Sequence, residues 1–411
     1  MSIASLSKFL NNKNFSLLNG NDGKMILAVG EEKSLSLSEI PQDWGEITRF
    51  FEQNKGHYIF GYLSYDLKNL TESSLTSKNK DVLEFPEAYF YVPESVYEIR
   101  GEEVTLLSGK NESSELKKGL SAMIPHSDFR GLTLKPNFSY EDYQKAFNQI
   151  QHHLKRGDIY EMNYCLSFEA AGEIDNVFAV YEKLNQLTQA PFSVLHRNGP
   201  FHLISGSPER FIQKKGQKII SQPIKGTQRR SSNPKEDEAL KEKLFNDEKE
   251  RAENIMIVDL VRNDLSRIAQ KNSVKVEELL KVYSFKTVHQ LISTISCQIK
   301  EDVGWKEILQ ALFPMGSMTG APKIRAMEII EAVENFKRGL YSGSFGYITP
   351  EGDADFNVVI RSLLYNADKK HTLAPVGGAI TVQSDVESEY KECLLKAKAL
   401  QEALSSSTIE K

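Results

Sequence analysis

Through residues 1–135 the apolar positions come in short runs rich in aromatic and β-branched residues, such as "HYIFGYLSYDL" (57–67) and "AYFYVPESVYEI" (88–99), separated by turn-forming residues. That pattern predicts strands and tight connections. The period changes at Ser139. Tyr143, Phe147, Ile150 and Leu154 recur at helical spacing, with Ser139 placed as an N-cap and Gly157 as a stop. Strands are predicted at 163–169, 201–205 and 210–222, then a charged helical stretch from Asn233 with Pro234 at its first position. Neither a regular strand–helix alternation nor an even series of strands emerges, so the pattern predicts an α+β fold with mostly antiparallel sheet. The change of character divides the chain into an N-terminal strand-rich segment, 1–135, packed on the core, and a larger domain, 136–411.

Composition then removes classes of function. A chain of 411 residues that is 40% hydrophobic and 26% charged can bury a large core. Its net charge of −5 comes with no basic stripe and no aromatic-basic alternation, which argues against a nucleic-acid partner. No run approaches the ~18 apolar residues of a membrane span. "MSIASLSKFLNNKN" at the start lacks the apolar centre of a signal peptide, so the expected location is the cytoplasm. Cys165, Cys297 and Cys393 have no CxxC pairing and read as small core hydrophobes in a reducing compartment.

Four groups of residues carry chemistry. Glu250 and Glu253, and Glu389 and Glu392, are i, i+3 pairs that put both carboxylates on one face of a predicted helix. They are either solvated charge faces, with Glu392 pairing to Lys396, or two halves of a hard-cation site. "FPMGSMTGAPK" (313–323) misses the spacing of a nucleotide-binding loop; it is a structural turn or a glycine-rich loop whose amides and Ser317 and Thr319 hydroxyls meet an anion. Arg361 interrupts an apolar, strand-like run, which calls for an anionic ligand or a structural ion pair, and Gly377-Gly378 offers a backbone open to close approach. His289 is a single histidine in an apolar stretch, either a hydrogen-bonded core residue or a catalytic one. Lys225, between Pro223-Ile224 and Gly226-Thr227, is a lysine in a segment that otherwise reads as buried or turning.

Taken in order, "SGSPERF", "PIKGT", "AENIMIVDLVRNDL", "GSMTGAPKIRAMEII", "YSGSFGYI", "IRSL" and "GGAITVQSDVESEYKECLLKA" make the chain resemble the chorismate-utilising enzymes, strongly over 140–405 and loosely before that. This family includes anthranilate synthase component I, aminodeoxychorismate synthase component I, and the isochorismate and salicylate synthases. The resemblance implies a sandwich of two large, roughly orthogonal antiparallel sheets with helices outside, and a cleft for chorismate and Mg2+. It implies that Glu253 and Glu392 are magnesium ligands, with Glu250 and Glu389 supporting bound waters. Tyr341 and Arg361 match residues that grip the enolpyruvyl carboxylate. Ser317, the Gly377-Gly378 backbone and Lys396 match further substrate contacts, and His289 matches a histidine near the ring. Glu209 matches the general acid for the departing C4 hydroxyl, a role that needs its pKa raised toward neutrality.

Within the family, PIKGT is typical of the branch that aminates C4, where the anthranilate-forming branch usually has PIAGT. The resemblance thus implies a magnesium-dependent, aminotransferase-class enzyme that converts chorismate and ammonia to 4-amino-4-deoxychorismate for 4-aminobenzoate and folate. Lys225 would attack C2 and form a covalent adduct, its pKa lowered by burial. Glu161 stands where water-using relatives hold a lysine and ammonia-using relatives commonly hold glutamine. No amidotransferase domain is visible, so a separate glutamine amidotransferase subunit is the expected partner. Two rival expectations are an anthranilate synthase component I, which would release pyruvate, and an inactive regulatory homologue. Tryptophan binding to the N-terminal part, as in some relatives, and the oligomeric state stay open.

Overall fold

Pro93 shows how local chemistry shapes the architecture. The run 88–99 forms two strands, Ala88–Val92 and Ser95–Arg100, interrupted at a residue with no amide proton to give to a ladder. The two strands belong to different sheets, so the chain crosses the molecule at this point. The run 57–67 forms a strand, Ile59–Leu63, followed by a short 3-10 helix, Tyr65–Leu70. The expected strand 210–222 is a hairpin, Arg210–Lys215 and Lys218–Gln222, turning at Gly216 with a positive φ of 55°. The helix expected after Ser139 spans Tyr140–Arg156; the Asp142 amide donates to the Ser139 hydroxyl at 3.1 Å, and Gly157 ends the helix in the left-handed region. Asn233 caps the next charged helix, Pro234–Asn246, with proline in its first turn.

The computed structural model describes residues 6–20, 23–110, 113–121 and 129–406, so the first five residues of the N-terminal stretch and the last five of the chain lie outside the described part. Among the described residues there are two large antiparallel sheets, of eleven and ten strands, with helices against them: the expected α+β class. Both sheets join early and late parts of the chain. Phe15–Asn19 pairs with Phe192–Asn198 in the first sheet, and Ile59–Leu63 pairs with Ser344–Ile348 in the second.

Strand alternation divides the core. Ile26, Ala28, Val194 and Leu203 of the first sheet join Phe60, Tyr62, Phe90 and Phe356 of the second in one apolar cluster. Leu27, Val29, Leu195 and Ile204 face the other way, into a cluster with residues of the helices Tyr140–Arg156, Val177–Thr188 and Val386–Leu404. Cys165, Cys297 and Cys393 are buried free thiols, as the sequence predicts. No described helix is long and apolar enough to cross a membrane.

Candidate active site

A cleft of about 580 Å³ gathers residues from both sheets and from two helices, among them Glu209, Lys225, Glu253, Arg361, Gly378 and Glu392. Its floor includes the strands Ile224–Arg229 and Val288–Gln298 of one sheet and His371–Thr381 of the other. The helices Glu248–Ser266 and Val386–Leu404 bring the carboxylates.

Glu209 follows the strand Phe201–Ser207 and is 5% exposed. Burial pushes its carboxyl up to about 7, against the opposing effects of the Ser317 hydroxyl and the Lys225 charge. A carboxyl that keeps its proton near neutrality can serve as a general acid. Lys225 faces the same cleft and departs from expectation. Burial by itself would lower its pKa, but Glu161 and Glu253 outweigh that and raise it. Its Nζ donates to Glu161 Oε1 and lies 3.7 Å from Glu253 Oε2. The lysine is therefore held as a cation in this state. Glu161 is 1% exposed and its second oxygen has no hydrogen-bond partner.

The two carboxylate helices converge. Asp247 and Asp385 accept hydrogen bonds at their N-termini, from Glu250 N at 3.0 Å and Ser388 N at 2.9 Å, so Glu250, Glu253, Glu389 and Glu392 all sit in the first two turns and all line the cleft. Lys249 of the first helix donates to Glu389 Oε1 of the second at 2.7 Å. Burial raises the Glu253 carboxyl to about 7 and raises that of Glu250, to which the Glu392 charge also contributes. Burial would also raise Glu392, but Lys396, 2.7 Å away, together with the Lys249 and Arg361 charges, more than offsets it. The donors are hard oxygens, and Glu253 Oε1 is buried without a hydrogen-bond partner, which suits an oxygen-loving divalent cation. In the arrangement seen, lysines lie between the carboxylates, and no three described His, Cys, Asp or Glu side chains stand close enough to hold an ion by themselves.

The anion-binding candidates line the same cleft. Tyr341 and Ser317 are buried cleft residues. Arg361 lies between the strands Ala354–Asn357 and Ser362–Asn366 at a φ of 52°, and not inside a strand as its apolar neighbours suggest. Burial works against its charge, and among the described residues its guanidinium makes no ion pair, so a structural carboxylate does not account for it. Lys396 donates to Gly377 O at 2.6 Å. A Cβ on Gly377 would come within 2.6 Å of Tyr164 O, whereas one on Gly378 would meet the Glu389, Lys396 and Glu392 side chains at 3.6–3.8 Å. Glycine at 377 is thus required by the sheet, and at 378 the backbone opens toward the cleft.

His289 is the exception among the expected site residues. It is 1% exposed, with Nδ1 2.8 Å from Ser284 Oγ and Nε2 3.1 Å from Asp237 Oδ1, on the face of its strand away from the cleft. Strand alternation gives the inward positions to Val288 and Gln290. Gln290 is 4% exposed and its side-chain oxygen has no partner. The period of two along Val288–Gln298 separates the His289 and Gln290 side chains onto opposite faces, and the packing of the strand decides which face meets the cleft. Lys249 could have been found from its i, i+4 spacing to Glu253. Lys323 binds Asp264 and Pro314 O, and the Thr319 hydroxyl donates to Gly316 O at 3.1 Å, so that loop is held by its own contacts and of its polar side chains only Ser317 enters the cleft.

Comparison with known proteins places the sequence in a family and returns the same two-sheet α+β fold. The sequence matches the chorismate binding enzyme family over residues 12–402, and the chain belongs to that family. Among similar proteins is aminodeoxychorismate synthase component 1 of Bacillus subtilis, 33% identical over 95% of this chain and 87% of its own length. The proteins of the same name from Klebsiella aerogenes and Escherichia coli are 40% and 42% identical over 66% and 64% of this chain. Those two matches span only 60% and 58% of the relatives' lengths. Anthranilate synthase component I from Streptococcus pneumoniae has the same fold, with a TM-score of 0.80 at 24% identity over 92% of each chain. So does MenF, the menaquinone-specific isochorismate synthase of Escherichia coli, with a TM-score of 0.78 at 18% identity over 98% of this chain and 91% of that one.

Proposed function

We propose that this protein aminates chorismate at C4, forming 4-amino-4-deoxychorismate, as the synthase component of a two-subunit system whose second subunit releases ammonia from glutamine. The observation that carries this reading is that Lys225 and Glu209, a potential nucleophile and a carboxyl that holds its proton to about pH 7, face one cleft. The relatives named aminodeoxychorismate synthase component 1 support the same choice.

In this scheme Arg361, Tyr341, Ser317, Lys396 and the Gly377-Gly378 backbone bind the substrate carboxylates. Lys225 transfers a proton to Glu161, with which it is in hydrogen-bond contact, and its free amine attacks C2. The double bond shifts and the C4 hydroxyl leaves as water with the proton of Glu209. Ammonia then adds at C4, Lys225 departs as an amine, and loss of a proton from the new C4 nitrogen gives the product. Glu253 and Glu392, supported by Glu250 and Glu389, would hold Mg2+, which when bound supplies positive charge to the ring carboxylate. Glu161 has no positive charge with which to hold a hydroxide, which favours ammonia over water as the second nucleophile.

The test is product analysis with chorismate, Mg2+ and excess ammonium. A product lighter than chorismate by the difference between a hydroxyl and an amino group, with no pyruvate released, is expected. Anthranilate with pyruvate would replace this reading by the other amination, and no turnover would favour an inactive homologue.

A further inference from the structure

We propose that Lys249 is a built-in counter-ion of the acidic cluster, which occupies the space between the carboxylates of the two helices in the metal-free protein and leaves it when a divalent cation enters. The inference rests on the metal-site reading above and concerns a residue to which that reading gives no role.

The lysine bridges the two helices, 2.7 Å from Glu389 Oε1 and 3.8 Å from Glu253 Oε1. It lies where a cation between those groups would lie. The longer distance leaves Glu253 Oε1 buried and without a hydrogen bond, so one ammonium compensates the charge without satisfying the oxygens. The other two cleft lysines have additional anchors. Lys225 donates to Glu161, and Lys396 donates to Gly377 O. Among the described residues, Lys249 has partners only among the candidate ligands.

Its place on the helix does not by itself favour a cation. It sits in the first turn of the Glu248–Ser266 helix, where the helix dipole disfavours a cation. Glu253 and Glu389 are buried, 5% and 3% exposed, whereas the Lys249 side chain is 37% exposed and can swing into water on its flexible stem. An ion entering between Glu253 and Glu389 therefore displaces a partly exposed cation from two buried carboxylates. The exchange keeps the buried negative charge compensated in both states, at the expense of affinity for the ion.

The test uses the full chain without substrate and Mn2+ as the probe, with free Mn2+ counted by its EPR signal. Lys249→Met, similar in length and without charge, should bind Mn2+ at least about tenfold more tightly than the wild type, because no ammonium has to be drawn away from Glu389 and Glu253 before the ion enters. Lys249→Arg keeps the charge and should remain within about threefold of the wild type, since the pairing survives. In chelator, Lys249→Met should melt below the wild type, and the gap should close as Mn2+ is added. Wild-type binding with no gain in Lys249→Met would overturn the counter-ion role and leave the metal site standing. Absence of Mn2+ binding in both proteins would overturn the metal site and the inference together. Unchanged melting of Lys249→Met in chelator would also count against the inference.

Discussion

At the scale of single residues, burial sets the direction in which a group's pKa moves and neighbouring charges decide whether that direction survives. Glu209 is dominated by burial and rises to about 7, while Lys225, buried beside Glu161 and Glu253, goes up and not down. If Glu209 is the acid, Glu209→Gln should lower kcat by about 10²- to 10⁴-fold with little change in KM, measured at saturating ammonium. The wild-type kcat/KM should fall above about pH 7 as Glu209 loses its proton, and a profile flat through that range would remove Glu209 from the role. Stability carries the same signature. The folded protein keeps a proton that an unfolded carboxyl, at 4.5, has already released, so this contribution is full below that value and is lost as pH rises to about 7. Glu209→Gln does not titrate, so its melting temperature relative to the wild type should increase from about pH 5 to about pH 8. The types and positions of both residues were legible in "SPERF" and "PIKGT". The protonation of Lys225 was not, because Glu161 is 64 residues away in sequence.

At the scale of elements, period and caps foretold the helix Tyr140–Arg156 and its ends, since those depend on contacts within a few residues. The same local reading merged the hairpin 210–222 into one strand and put Arg361 inside another, because apolar content alone does not mark where a strand turns. Alternation along Val288–Gln298 turns His289 out and Gln290 in, a choice settled by which face meets the cleft. The strand His371–Thr381 yields a paired prediction. Gly377→Ala forces a Cβ against Tyr164 O and Cys165 Sγ and should cost about 1–3 kcal/mol by chemical denaturation. Gly378→Ala meets only side-chain ends at ordinary contact distance, so its denaturation curve should stay near the wild type while KM for chorismate rises. Equal stability losses in the two variants would contradict this account of the strand.

At the scale of the whole molecule, the N-terminal strands complete both sheets. Removing residues 1–135 would uncover the Phe192–Asn198 and Ser344–Ile348 edges together with the apolar cluster between the sheets. A 136–411 fragment should therefore fail to give a cooperative thermal transition, and the full chain should unfold with coincident far- and near-ultraviolet circular dichroism. A folded, cooperatively melting fragment would show that the later segment stands alone. What the sequence by itself determined were features written in neighbouring residues: the α+β class, the main helix and strand runs, and the ordered motifs that mark the family and its candidate acid, lysine and carboxylates. Only the tertiary structure decided that the two carboxylate helices converge, that Lys249 lies between them, that Lys225 stays charged, and that Gln290 and not His289 faces the cleft. Those outcomes depend on distances between groups up to 140 residues apart and on the field they create in a buried space, and no local pattern encodes either.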